Sequence, residues 1–276
     1  MDSQLVHKRA ALTAVLEKLD GAVVAYSGGV DSSFLAESAH AVLGARSVAV
    51  TAVSPSLARR ERDDARSLAR ARGWRYLEVS TGEVQRPEYR RNAPDRCYWC
   101  KTELMEVLGP VARSLGSALL VGTNTDDLGD HRPGLRAARE HSARAPLAEA
   151  GLSKADVRAL SRAVGLPTAE KPASPCLASR FAYGVEVTPE GLERVERAEE
   201  ALRALGFVEL RVRDHGELAR VEVPRASIVR AAELSEEIAD ALKALGYVYV
   251  SLDLSGFRSG AMNEVLGPPS IRRRAL

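Results

Sequence analysis

One seven-residue segment limits what this chain can fold into more than any other. Ser27-Gly28-Gly29-Val30-Asp31-Ser32-Ser33 follows the apolar, β-rich run 21–26 directly and leads into an Ala-rich stretch, 34–43, with helical spacing. A strand that passes into a helix through two adjacent glycines is the start of a parallel βα unit. The glycines let the backbone turn tightly and approach an anion closely. The hydroxyls of Ser27, Ser32 and Ser33 and the loop amides can all donate to phosphate oxygens. The next helix brings its positive N-terminal end to the same place. A Walker loop would read GxxxxGK[ST], which this segment does not match. With no lysine in the segment, the charge of a bound pyrophosphate must be met otherwise, by Mg²⁺ with Asp31 beside it. A bare Gly-rich turn would need neither three hydroxyls nor an aspartate here.

The alternation continues along the chain. Residues 47–53 and 74–79 read as strands, 56–72 as a helix closed by Gly73, 101–115 as a helix and 118–122 as a fourth strand. Ser153 caps a further helix. Strands alternating with helices give a parallel sheet covered on both faces. After Tyr183 the texture changes. Thr188 and Pro189 open a helix, 208–214 and 218–223 read as strands, 227–245 as one helix and 247–254 as a last strand. The expectation is an α/β nucleotide-binding domain over 1–183 and a smaller α+β domain over 184–276.

Composition narrows the class. The chain has 276 residues, 45% hydrophobic and 28% charged, which suits a folded protein. Lys+Arg is 39 against 37 Asp+Glu, a net charge of +2, so nucleic acid held mainly by electrostatics is not expected. No apolar run approaches the about 20 residues of a membrane span, and the first residues lack the apolar core of a secretory signal. A cytoplasmic, soluble protein is expected. Its basic tail, 271–276, reads as a solvated end.

There are three cysteines: Cys97, Cys100 and Cys176. Cys97 and Cys100 form a CxxC, spaced for a shared metal or cluster or for a redox pair. Zinc would want a fourth N/S ligand, whereas three cysteines suit a cubane [4Fe–4S] cluster with one iron left open. Cys176 stands between Pro172, Pro175 and Gly184, in a loop. Lys171 and Arg180 flank it and favour thiolate, which makes it a candidate nucleophile. The five histidines are scattered without ligand spacing, and His215 reads as a turn residue. The Arg-rich run 59–75 reads as a solvated helix face.

The glycine segment resembles the PP-loop ATP pyrophosphatases, whose SGGxDSS motif it matches in full. That resemblance implies an HUP-like fold and cleavage of ATP between its α and β phosphates. It implies ATP contacts from Ser27, Gly28, Gly29, Asp31, Ser32 and Ser33, from the backbone near Ala52 and Val53, and from Gly122. Asp126 and Asp127 read equally as Mg²⁺ or ribose ligands and as helix caps. Together with RCYWCK, GTNTDDLGDHRPG, KPASPCLASR, RVRDHGELARVEV and LDLSGFRSGAMNEVL, the chain is similar to the LarE-type sulfur transferases of nickel-pincer cofactor biosynthesis. The similarity covers nearly its whole length. It implies a pyridinium mononucleotide substrate, activated by ATP on a ring carboxylate and converted to a thiocarboxylate.

The family offers two sulfur sources. One is the Cys176 sulfur itself, lost to leave dehydroalanine. The other is a [4Fe–4S] cluster on Cys97, Cys100 and Cys176 fed by a sulfide source, which the retained CxxC favours. Asp31, Cys176 and Arg180 are the expected catalytic residues, and Trp99, Ser179, Arg211 and Arg213 the expected substrate contacts. Arg211 and Arg213 alternate on one strand and so share a face; a charged, solvated strand is the competing reading. Glu199 and Glu222 are candidates for an acidic metal cluster. A homo-oligomer is expected. The rival readings are a tRNA thiolase of the same superfamily, which would want a basic RNA surface, an ammonia-dependent ligase, which leaves the cysteines idle, and a nucleotide-binding module without catalysis.

Overall fold

In the computed structural model, which describes residues 3–129, 133–258 and 261–266, the apolar run before the glycines is the strand β1 (Ala22–Ala25). With β2 (Ser47–Val53), β3 (Arg75–Ser80) and β4 (Ala118–Leu120) it forms a parallel sheet in the order β3-β2-β1-β4. The expected α/β class with a second, smaller sheet is therefore what the chain adopts. The tail 271–276 and His131 lie outside the described residues.

Nine helices within the described residues accompany this sheet: α1 (Ser3–Glu17), α2 (Val30–Leu43), α3 (Arg59–Ala71), α4 (Pro87–Arg90), α5 (Arg96–Ser114), α6 (Thr125–Leu128), α7 (Pro133–Glu140), α8 (Pro146–Glu149) and α9 (Lys154–Ala163). Successive β1 residues face opposite ways. Val24 joins Leu12, Leu16, Phe34, Leu35 and Leu160 in one core, while Val23 joins Val48, Val50, Met105, Leu108 and Leu119 in another. Both faces are thus covered, as a parallel sheet requires.

α5 starts five residues earlier than its pattern predicts, so its first turn contains both Cys97 and Cys100. Two adjacent aromatic residues weaken local helix propensity there, and tertiary contacts override it. The Tyr98 hydroxyl donates to Glu140 Oε2 at 2.7 Å, and Arg136 of α7 lies 4.1 Å over the Tyr98 ring.

Contacts divide the chain into two compact units, Met1–Arg90 with Pro94–Cys176, and Arg91–Ala93 with Leu177–Leu276. The second contains α10 (Pro189–Ala204), β5 (Arg211–Asp214), β6 (Leu218–Glu222), α11 (Ile228–Glu233), α12 (Ser235–Lys243) and β7 (Tyr249–Leu252). Its sheet runs β5-β6-β7, the first pair antiparallel and the second parallel. The expected single helix over 227–245 is instead a 3₁₀ turn and two helices that break at Leu234, where no glycine or proline announces the bend. Asn92, fully buried, ties its short segment to this unit by donating to Ala182 O (2.7 Å) and Val185 O (3.0 Å).

The arginines of α3 are not all solvated. Arg62 and Arg66 both donate to Glu78 on β3, and these bonds hold its carboxyl down to about 2. A depressed carboxyl adds stability above its ordinary value that is lost as pH falls through the folded one. Glu78→Gln should therefore cost about 1–2 kcal/mol at neutral pH, given the half-exposed guanidiniums. The gap to the parent protein should close as pH falls from about 4.5 towards 2, as read by denaturant midpoints.

Candidate active site

The glycine segment closes on itself. Ser32 Oγ accepts from Ser27 N at 3.2 Å, lies 3.1 Å from Ser27 Oγ and donates to Gly29 O at 3.2 Å. Ser33 is fully buried under the same turn. Gly29 caps α2 without a side-chain hydrogen bond, so no side chain of its own cap occupies the helix's leading amides and they can meet an anion. Gly28 has φ +72°, and a Cβ there would stand 3.1 Å from Ala65 Cβ, so both conformation and space demand glycine. A Cβ on Gly122 would come within 2.9 Å of Ser32 N and 3.1 Å of Asp31 C. The segment after β4 therefore presses directly on the first turn of α2. Ala52 and Val53 end β2, half-buried, at the carboxyl edge of the sheet, where ligands of parallel α/β folds bind.

The segment lacks a lysine, but the fold supplies one. Lys154, the first residue of α9, forms an ion pair with Asp31, whose other oxygen accepts from Asn124 Nδ2 at 3.2 Å. A cation from outside the segment thus stands beside Asp31. Crossover helices of a parallel sheet begin at its carboxyl edge, the edge that carries the glycine segment. A lysine just after the Ser153 cap was the available signal. Asp126 Oδ2 accepts from Lys154 N at 3.0 Å, and Asp127 accepts from Asn124 N at 3.1 Å, closing a capping box. Both aspartates thus act as caps.

Cys97 and Cys100 share one side of the first turn of α5, three residues apart. Cys176 ends the loop 171–176 of the same unit. None of the three is in a disulfide, and Cys97 and Cys176 are exposed. Burial pushes the Cys100 thiol up, and the charges of Cys176 and Glu83 push the same way, while Lys101 opposes them. Burial pushes the Lys101 amine down. Tyr89, buried nearby with its phenol also pushed up by burial, shares a 2.6 Å hydrogen bond with Ser56. Among the described residues, no three Cys, His, Asp or Glu side chains converge on a point that a single ion would occupy.

Both basic flanks of Cys176 carry carboxylate partners. Lys171 Nζ lies 2.7 Å from Glu61 Oε2. Arg180 is buried and forks onto Glu199 at 2.8 and 3.2 Å. Burial alone would raise Glu199, but the Arg180 bonds and the charges of Arg180, Arg211 and Arg203 outweigh it and hold the carboxyl low.

In the second unit Arg213 is buried, donating to Glu222 at 2.8 Å and to Ser179 O at 3.1 Å, so β5 is not simply a solvated charged strand. Ser179 Oγ also accepts from Arg180 at 3.1 Å. Arg211 differs. Its guanidinium donates to Leu210 O at 2.6 Å, lies 5.0 Å over Phe257 and is pushed down to about 10 by burial and by repulsion from Arg180 and Arg213. Glu199 receives Arg180 and Arg203, and Glu222 receives Arg213 and Arg220. With two guanidiniums on each, these carboxylates do not fit the metal cluster that the resemblance implies. Trp99 is half-buried, with its indole N–H on Asp95 at 3.0 Å and its ring edge-on to Tyr98. His215 sits in the β5–β6 turn, its imidazole pushed down by burial and Arg220.

No family model matches the chain. An uncharacterized protein of Synechocystis sp. is 48% identical to it over 253 residues, 90% of this chain and 94% of the relative. The pyridinium-3,5-bisthiocarboxylic acid mononucleotide synthase of Lactiplantibacillus plantarum is 40% identical over 264 residues, 95% of this chain and 96% of that protein. An uncharacterized protein of Methanocaldococcus jannaschii is 33% identical over 170 residues, 61% of this chain and 66% of its own length. Among the described residues, no helix is long and apolar enough to cross a membrane.

Proposed function

This chain belongs to the LarE-type sulfur-transferase family represented by the Lactiplantibacillus synthase, and on that premise we propose that it activates a carboxylate of a pyridinium-3,5-biscarboxylic acid mononucleotide with ATP and replaces the carboxylate oxygen by sulfur. The observation that carries this reading is that one compact unit holds both the closed glycine loop with its Asp31–Lys154 pair and all three cysteines.

In the first half-reaction a ring carboxylate oxygen attacks the α-phosphorus of ATP. The bond from that phosphorus to the oxygen bridging the β-phosphate breaks, and pyrophosphate leaves. The α2 amides, the serine hydroxyls and Lys154 meet its negative charge. Mg²⁺ beside Asp31 would neutralise further phosphate charge. In the second half-reaction sulfur attacks the acyl carbon, the carbon–oxygen bond to AMP breaks, and AMP leaves. If the sulfur is Cys176 Sγ, a thioester forms. Loss of the Cα proton and cleavage of the Cβ–Sγ bond then leave dehydroalanine on the chain and a thiocarboxylate on the product. Alternatively, Cys97, Cys100 and Cys176 would hold a [4Fe–4S] cluster, which supplies an exogenous sulfide in place of the Cys176 sulfur. The shared side of Cys97 and Cys100 on α5 supports this second route, and the sacrificial route gives those two cysteines no task. Iron content and visible absorbance of anaerobically purified protein, with product counted per chain, test the choice.

Trp99, Ser179, Arg211 and Arg213 are the proposed substrate contacts, with Arg180 holding the loop after Cys176. The two strand arginines should separate on substitution. Arg211→Ala removes a half-buried cation without a carboxylate partner among the described residues, and should weaken mononucleotide binding by about 10–100-fold, the worth of a charged hydrogen bond. Arg213→Ala leaves Glu222 with only Arg220 and should lower the melting temperature as well. Normal binding in both variants, measured by calorimetry, would remove the strand from the site. We further propose cytoplasmic action as a homo-oligomer, with an external sulfide source.

A further inference from the structure

Glu61 lies in the first turn of α3, within the Arg-rich run that its composition marks as a solvated face. It is not solvated. Its side chain is 22% exposed, and its two oxygens are divided between two residues of one loop. Oε2 meets Lys171 Nζ at 2.7 Å, and Oε1 accepts from Ser174 Oγ at 2.9 Å. That loop ends in Cys176. Arg158 of α9 holds its root by donating to Ala169 O and, at 3.0 Å, to Lys171 O. Residues 172–176 are exposed, so burial of apolar surface contributes little to their placement and polar tethers must do so. Glu61 is also a neighbour of the phosphate loop. Its carbonyl oxygen is 3.7 Å from where a Gly28 Cβ would stand, and Ala65, one turn on, is closer still. One helical turn therefore packs against the ATP loop through its backbone and grips the cysteine loop through a carboxylate. All of these residues belong to the same compact unit.

We infer that Glu61 is a positioning residue for sulfur transfer: it fixes the Cys176 loop relative to the nucleotide loop, so that sulfur reaches the acyl carbon that ATP has activated. The inference rests on the proposed two-step reaction. It deepens that reading by separating the steps, since the Glu61 carboxylate bonds the loop that carries sulfur, while only its backbone lies against the phosphate loop. A displacement of about 1 Å at a reacting atom can cost about 10²-fold in rate.

The test uses the full chain with ATP and the mononucleotide, and compares Glu61→Ala, Glu61→Lys, the exchange pair Glu61→Lys/Lys171→Glu, and Asp64→Ala. Asp64 is a control, because its contact with Lys171 is longer, 3.7 Å, and it is 54% exposed. Pyrophosphate release and thiocarboxylate formation are measured separately, with hydrogen exchange at the amides of Ala173, Ser174 and Cys176. In Glu61→Ala, thiocarboxylate formation should fall about 10–100-fold while pyrophosphate release stays within about twofold, and loop exchange should quicken. Glu61→Lys should be worse, the exchange pair should recover much of the loss, and Asp64→Ala should behave as the parent. Unchanged thiocarboxylate formation in Glu61→Ala, or a parallel fall of both half-reactions, would overturn the inference. If the parent protein itself makes no thiocarboxylate, the proposed function fails, and loop exchange alone decides: unchanged exchange in Glu61→Ala refutes the tether.

Discussion

Cys176→Ser should abolish thiocarboxylate formation while pyrophosphate release continues. Serine is close to cysteine in size, and the loop has polar tethers at Lys171 and Ser174, with Arg158 donating to the Lys171 carbonyl. What is lost is a nucleophile. Thiols ionise near pH 8.5, and an unassisted hydroxyl does not ionise in the neutral range. The acyl-adenylate then has no sulfur to receive, whichever source the protein uses, so the loss should be complete rather than graded. Cys97→Ser and Cys100→Ser divide the two routes. If the three cysteines share a cluster, either change should remove iron and most of the product. If Cys176 gives up its own sulfur, both variants should still deliver one sulfur per chain, and the mass of residue 176 should fall to that of dehydroalanine. A Cys176→Ser protein that still makes thiocarboxylate would refute the assignment of Cys176.

The second large effect falls on the other half-reaction. Asp31→Ala should abolish pyrophosphate release without unfolding the unit, because Asp31 sits on the first turn of α2 with its side chain only partly buried. Lys154→Met should lower release by about 10²–10³-fold, the usual worth of one preorganised group facing developing charge. Both variants should melt close to the parent protein, since an ion pair this exposed contributes little to stability. Asp31→Asn sharpens the test. It can keep a hydrogen bond to Asn124 but removes the charge that pairs with Lys154, so near-normal release in that variant would assign Asp31 a merely structural place. Product-free turnover in Cys176→Ser and turnover-free folding in Asp31→Ala would together establish two separable half-reactions.

Much of this was legible in the chain itself. The short apolar runs and the two glycines define a parallel βα sheet with a phosphate loop, because strand-length apolar runs and positive-φ turns are local properties. The CxxC spacing and the loop chemistry around Cys176 are local too. Other features depend on residues far apart in sequence that only packing brings together. Lys154 reaches Asp31 because a crossover helix starts at the same sheet edge, and no motif within the glycine segment records that lysine. The first turn of α5 takes in Cys97 and Cys100 because α7 compensates a weak helical start. The arginines flanking or following Cys176 read as thiolate-stabilising or substrate-facing charges. In the structure Arg180 and Arg213 are largely neutralised by Glu199 and Glu222, which leaves Arg211 as the cation without a carboxylate partner among the described residues. Glu61 is one charge among many along its helix, and only the folded chain shows that both its oxygens hold the cysteine loop. The division has one physical reason. Backbone periodicity and turn chemistry are written in neighbouring residues, whereas the partner of a buried charge is set by which elements the hydrophobic core packs side by side.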